Sequence, residues 1–181
     1  MLKPIFHWYL RRMERRYGYD ATYLHELADI SETAFRRYLR AQTAARWQGP
    51  APRDAWHAAA IAGALVEDCG PCLQIASDLA LEAGVPGATI RALLSGTPTD
   101  AGAQLGFDYG RALLTSSENL DELRKEVERR WGRPALVAIS LMAMYSRNFP
   151  VLKRALGHAR ACQRVRIGDS EVVVAPRLKA A

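Results

Sequence analysis

Apolar residues recur at helical spacing through most of the chain. Ile5, Trp8, Tyr9, Met13 and Tyr17 form a stripe that closes at Gly18 and predicts an amphipathic helix. Tyr23, Leu24, Leu27, Ile30, Ala34, Tyr38 and Leu39 continue the period. With Asp29 rather than glycine at the point where the chain could turn, residues 21–47 read as one continuous helix. Gly49-Pro50-Ala51-Pro52 is the clearest punctuation and separates an N-terminal helical arm, residues 1–48, from a core at residues 53–160. The segment Arg53–Val66 is Ala-rich with almost no polar face, the pattern of a buried helix. A helix over residues 69–83 closes at Gly84, and Val85-Pro86-Gly87 turns into a short one at 88–94. Further helices are expected at 101–114, 120–131 and 133–158, with Gly132 as the break and Pro134 in an early turn, where its missing N–H has no partner to lose.

After His158 the period changes. Arg164-Val165-Arg166-Ile167, Gly168-Asp169-Ser170 and Glu171-Val172-Val173-Val174 alternate as a hairpin with a three-residue turn, within residues 163–176. A lone hairpin is marginally stable, so it must pack on a helix or on a neighbouring subunit. The expected fold class is all-α, a helical bundle with a short C-terminal β-hairpin, in one compact domain.

Composition narrows the function classes. The chain has 181 residues, 49% hydrophobic and 24% charged, which excludes wholesale disorder. A chain of this length buries enough surface to fold without disulfides or metal. The nearly apolar runs at 58–66 and 135–145 are shorter than the ~20 residues of a bilayer span. Residues 4–10 are apolar, but Arg11, Arg12, Arg15 and Arg16 follow where a cleavage site would stand. With only three cysteines, the expectation is a soluble cytoplasmic protein without a membrane partner. The net charge of +6 permits a nucleic-acid partner without requiring one, and the arginines of the first 40 residues read as a solvated cationic face.

Glu67-Asp68-Cys69-Gly70-Pro71-Cys72 carries the chemistry. Two cysteines three apart on the first turn of a helix share one face, close enough for a disulfide. The unpaired N–H groups of a helix start favour the thiolate, which is the reactive form. Asp68 suits the N-cap, and Pro71 is tolerated where no intrahelical donor is needed. Because the preceding segment reads as helix rather than strand, a thioredoxin fold is excluded.

From Asp54 to about His158 the chain resembles the carboxymuconolactone decarboxylase and alkylhydroperoxidase AhpD-like family. The resemblance rests on the Ala-rich helix, the Glu67–Cys72 block and the helix closing at Ala83-Gly84-Val85-Pro86. The short helix with Thr89-Ile90-Arg91-Ala92-Leu93-Leu94 and a last helix with Asn148-Phe149 and Leu156-Gly157 complete it. It implies an AhpD-like bundle that oligomerises as a dimer, trimer or hexamer. Its cysteines would reduce a peroxide or disulfide substrate through a sulfenic acid and a disulfide, with no bound cofactor and an external thiol as electron donor. The family usually has a histidine four residues after the second cysteine, where this chain has Ala76, and a glutamate twelve before the first, where it has His57. An imidazole from His57, approaching across from the second turn of the cysteine helix, could replace the lost base, since its ordinary pKa of about 6.5 suits neutral proton transfer. Glu67 is the second candidate, and Asp78 reads as solvated. Which cysteine attacks stays open, although the resemblance favours Cys72. The catalytic set is thus Cys69, Cys72, His57 and Glu67.

Other classes have weaker support. Cys69, Cys72, His158 and Cys162 have zinc-ligand spacing, but this chain has an ample core, and metal is disfavoured. Residues 27–39 resemble part of a helix-turn-helix that would present Arg36, Arg37 and Arg40 to DNA. Asp29 in place of glycine disfavours nucleic acid. A non-enzymatic oligomeric scaffold is the remaining alternative.

Overall fold

A computed structural model describes residues 2–158 and 164–175. Helices α1 (Lys3–Tyr17), α2 (Thr22–Ile30) and α3 (Glu32–Ala41) form the N-terminal arm, followed by a 3-10 turn, Gln42–Arg46. The core helices are α4 (Arg53–Val66), α5 (Gly70–Glu82), α6 (Gly87–Ser95), α7 (Ala101–Thr115), α8 (Leu120–Ser146) and α9 (Asn148–Ala155). Strands β1 (Arg164–Ile167) and β2 (Ser170–Val173) pair antiparallel. The chain is an all-α bundle with a short hairpin, as its periodicity predicts.

Helix α4 is the axis of the fold, packing against α5, α7 and α8. Its alanines make this possible, because short side chains let neighbouring backbones approach closely. A Cβ added at Gly106 of α7 would stand 2.6 Å from Ala55 Cα, and one at Gly110 would stand 3.2 Å from Ala59 Cα. Gly63 of α4 likewise receives the Ser146 side chain from the end of α8.

Two segments differ from the sequence reading. Residues 21–47 form two helices and a 3-10 turn, because Ser31 leaves helical geometry at φ −155° and ψ 107° and accepts a hydrogen bond from the Ala34 N–H. A serine cap of this kind contributes ~1 kcal/mol and ends one helix while starting the next without a glycine. The segment expected as a single helix over 133–158 divides at Arg147, where Pro150 has no N–H to bond the Ser146 carbonyl. Gly132 is the break expected, with φ 79° and ψ 167° inside α8.

The arm divides the predicted stripe between core and solvent. Leu10 is buried, with Phe6, Met13 and Tyr17 packed against the core, whereas Ile5, Trp8 and Tyr9 are exposed. Helix α1 therefore has two apolar faces, and its sequence does not rank them. Arg16 and Tyr17 both reach Glu82, at 2.9 and 3.0 Å, which ties the end of α1 to the end of α5.

The hairpin packs on its own chain. Val165, Ile167, Val172 and Val174 are buried, and the strands lie against α5 and α6. Gln74 of α5 holds the Arg166 backbone from both sides, its amide donating to the carbonyl and its oxygen accepting from the N–H, both at 2.8 Å. Ile167 pairs with Ser170, so the turn is two residues, Gly168 and Asp169, rather than three. Gly168 supplies the positive φ of 61° that tight hairpin turns require.

No uninterrupted apolar run is long enough to span a membrane, but among the described residues one longer stretch is apolar enough on average. The stretch Leu120–Ala155 contains 18 residues of mean hydropathy 1.3, enough to cross a membrane by length and composition alone, and 33% of that window is buried. Ala135, Ala138, Ile139 and Ala143 in this stretch are buried in the core around α4.

Candidate functional site

The cysteine pair lies in the tight connection from α4 to α5. Glu67, Asp68 and Cys69 make the turn, and Asp68 adopts φ 46°. This left-handed conformation is one that aspartate tolerates better than most side chains. The N-cap is consequently Cys69, in extended geometry at φ −103° and ψ 99°, and not Asp68 as the sequence suggests. Cys72 follows within the first turn of α5. Cys69 and Cys72 are joined as a disulfide, with Cα atoms 5.2 Å apart. Both are buried, at 3% and 4% exposure, within a core cluster shared by the arm, α4, α5 and the hairpin.

Glu67 sits beside the pair but is engaged elsewhere. Its side chain is 4% exposed and pairs with two arginines, Arg147 between α8 and α9, and Arg154 of α9 at 2.7 Å. Two guanidinium groups neutralise the buried carboxylate and anchor the α4–α5 turn to α9, a structural task rather than proton transfer.

His57 is not brought to the sulfurs. It lies in the second turn of α4, about 13 Å of helix axis before Val66, while the cysteines follow the other end of that helix. Its ring packs edge-on to Trp56 with centroids 4.9 Å apart, and it makes no hydrogen bond among the described residues. Burial lowers its pKa to about 4; the Asp54 carboxylate opposes that shift and Arg53 adds to it. The relay expected across the second turn of α5 fails on axial distance. Ala76 is half-buried against the core, and Asp78, hydrogen-bonded by Gln74 at 2.9 Å, has its pKa raised by burial.

The polar atom next to a sulfur comes from the arm. Tyr19, between α1 and α2, places its hydroxyl 3.8 Å from Cys72 Sγ and 2.9 Å from the Tyr23 hydroxyl. Behind both rings lies Lys153 of α9, fully buried, with Nζ 4.8 Å from the Tyr19 centroid and 5.5 Å from that of Tyr23. Its ammonium donates to the Asp20 carbonyl at 2.8 Å and lies 3.7 Å from the Asp20 carboxylate. A buried charge requires such partners.

No protein-family model, curated protein or solved structure matches this chain.

His158 pairs with Glu26 at 2.8 Å, Cys162 lies outside the described residues, and no group of three metal-ligating side chains occurs among the described residues. Arg36, Arg37 and Arg40 are exposed on α3. The Ser31 break does divide the segment into two helices, but one intervening residue is shorter than the three or four of a helix-turn-helix.

Tyr19, Tyr23 and Lys153 are the residues that sequence reasoning missed. One signal was present. Lys153 falls in the apolar stripe Phe149, Leu152, Leu156, a position where a solvated lysine would not stand.

Proposed function

We propose that this chain is a thiol-dependent peroxidase or disulfide oxidoreductase of the AhpD-like type, cycling Cys69 and Cys72 between dithiol and disulfide. The observation that carries the reading is the pairing of these cysteines across the first turn of α5, with a Cα separation of 5.2 Å. In the reduced state, a Cys72 thiolate attacks the terminal oxygen of a hydroperoxide. The O–O bond breaks, the alcohol leaves with one proton, and Cys72 becomes a sulfenic acid. Cys69 sulfur then attacks Cys72 sulfur, the S–O bond breaks, and water leaves with the Cys69 proton. An external dithiol returns two electrons by thiol–disulfide exchange. Burial of both sulfurs supports a small hydroperoxide over a protein disulfide as the oxidant.

The test uses reduced full-length protein with a hydroperoxide and a small dithiol. Mass spectrometry should find a loss of two hydrogens linking Cys69 to Cys72, and Cys69→Ser and Cys72→Ser should each abolish turnover. Failure of both cysteines to react in the folded, reduced chain would overturn the reading and leave a non-enzymatic scaffold.

A further inference from the structure

A disulfide sulfur carries no hydrogen, so in the contact between Tyr19 and Cys72 the phenol must donate. With its only proton directed at the sulfur, Tyr19 can meet Tyr23 only as an acceptor, so the Tyr23 hydroxyl donates to it at 2.9 Å. The hydrogen count thus gives the chain a direction, from Tyr23 to Tyr19 to Cys72. It ends on a sulfur within the first turn of α5, where backbone N–H groups also favour negative charge. The fully buried Lys153 stands behind both rings and adds a positive charge in a place where water does not screen it.

We propose that Tyr19 is the catalytic hydrogen-bond donor to the Cys72 thiolate and that Lys153, acting through Tyr19 and Tyr23, is its positioning cation. This inference rests on the dithiol–disulfide reading of the same pair and identifies Cys72 as the sulfur held as thiolate. The donor comes from the N-terminal arm, so the arm completes the site rather than decorating it. When the disulfide is reduced by a dithiol, one Cys72–Cys69 S–S bond is exchanged for the dithiol's own. Of the dithiol's two protons one goes to Cys69 and the other to solvent, and the departing Cys72 thiolate keeps the Tyr19 hydrogen bond and takes none. When it attacks a hydroperoxide, the alkoxide leaving group takes a proton from solvent, the Cys69 thiol keeps its proton for the water released in the next step, and Tyr19 retains its own. Consistent with that role, burial raises the Tyr19 pKa to about 12, so the phenol is protonated at neutral pH.

The charged and titratable groups around Cys72 come from four other parts of the fold. Tyr19 and Asp20 lie between α1 and α2, Tyr23 is on α2, Tyr38 is on α3 and Lys153 is on α9. Asp68 and Glu67 are the nearest carboxylates in sequence, both in the α4–α5 turn, and Glu67 is paired with Arg147 and Arg154.

The experiment isolates one thiol, in full-length protein carrying Cys69→Ser and Cys162→Ser. The rate of iodoacetamide alkylation of Cys72 is followed against pH, with and without Tyr19→Phe or Lys153→Met. Tyr19→Phe removes only an oxygen and should raise the Cys72 pKa by about one unit, slowing alkylation about tenfold at pH values below the pKa and less above it. Lys153→Met should shift it in the same direction, and circular dichroism confirms that each variant is folded. An unchanged pH profile in folded Tyr19→Phe overturns the proposal, whatever the peroxidase result. A shifted profile in a protein without peroxidase turnover supports the Tyr19–Cys72 assignment while overturning the peroxidase reading.

Discussion

His57 separates a packing role from a proton-relay role, and its burial makes the separation measurable. In the unfolded chain its imidazole has a pKa of about 6.5, whereas in the folded protein burial holds it down to about 4. Between those values the unfolded state binds the extra proton, so stability rises with pH across the window and falls as acid is added. The contribution is fully present above about pH 6.5 and is lost as the pH falls through about 4. A gap of about 2.5 units corresponds to ~3 kcal/mol, or about 6–12 °C in melting temperature for a chain of this size. The measurement is urea unfolding by circular dichroism at several pH values, on the native chain and on His57→Gln. Asp54, Arg53 and the other three histidines remain in both proteins, so the difference between the two curves isolates His57. The native chain should lose ~3 kcal/mol more than the variant on moving from neutral pH to about pH 4. Parallel curves would refute the buried, neutral imidazole. The same variant tests the relay: peroxide turnover at neutral pH should be unchanged, whereas loss of a general base costs ~10²-fold or more.

Two further predictions concern the frame of the site. Gly106→Ala gains about 1 kcal/mol in helix propensity but drives a methyl into the Ala55 backbone, which cannot rotate away; thermal unfolding should show a net loss of ~1–3 kcal/mol. Glu67→Gln leaves Arg147 and Arg154 without their carboxylate. Because both arginines are partly exposed, the expected cost is ~2 kcal/mol, below that of a fully buried pair. Urea unfolding of Glu67→Gln, Arg154→Gln and the double variant should be less than additive, and additivity would refute the clamp.

The bundle was legible because its periodicity is strong and its stops are chemical. Gly18, Gly84, Gly96 and Gly132 all adopt positive φ at helix ends or breaks, which most side chains resist. The break at Ser31 was not legible, since a serine cap is only one of the roles serine plays within a helical pattern. Nor was the buried side of α1. Phe6, Leu10, Met13 and Tyr17 repeat with the same period as Ile5, Trp8 and Tyr9, and only the surface that the rest of the fold presents decides between them.

The site was half legible for a related reason. Cys69 and Cys72 meet through local helix geometry, so their spacing alone brings the sulfurs together. The side chains packed around them come from distant parts of the chain. Tyr19 reaches Cys72 across 53 positions and Lys153 reaches Asp20 across 133, and no local period encodes such contacts. Seeking the missing base on the neighbouring helix therefore led to His57, because a two-helix hairpin is the only tertiary partner that the local sequence specifies. Helix rise argues against that choice from sequence alone: a residue that far before Val66 stands about two and a half turns from the α4–α5 connection, whatever its side chain. The lysine in the apolar stripe of α9 was the better clue. A buried ammonium requires acceptors and π-faces around it, and the cluster that satisfies Lys153 is the one that places Tyr19 on the Cys72 sulfur.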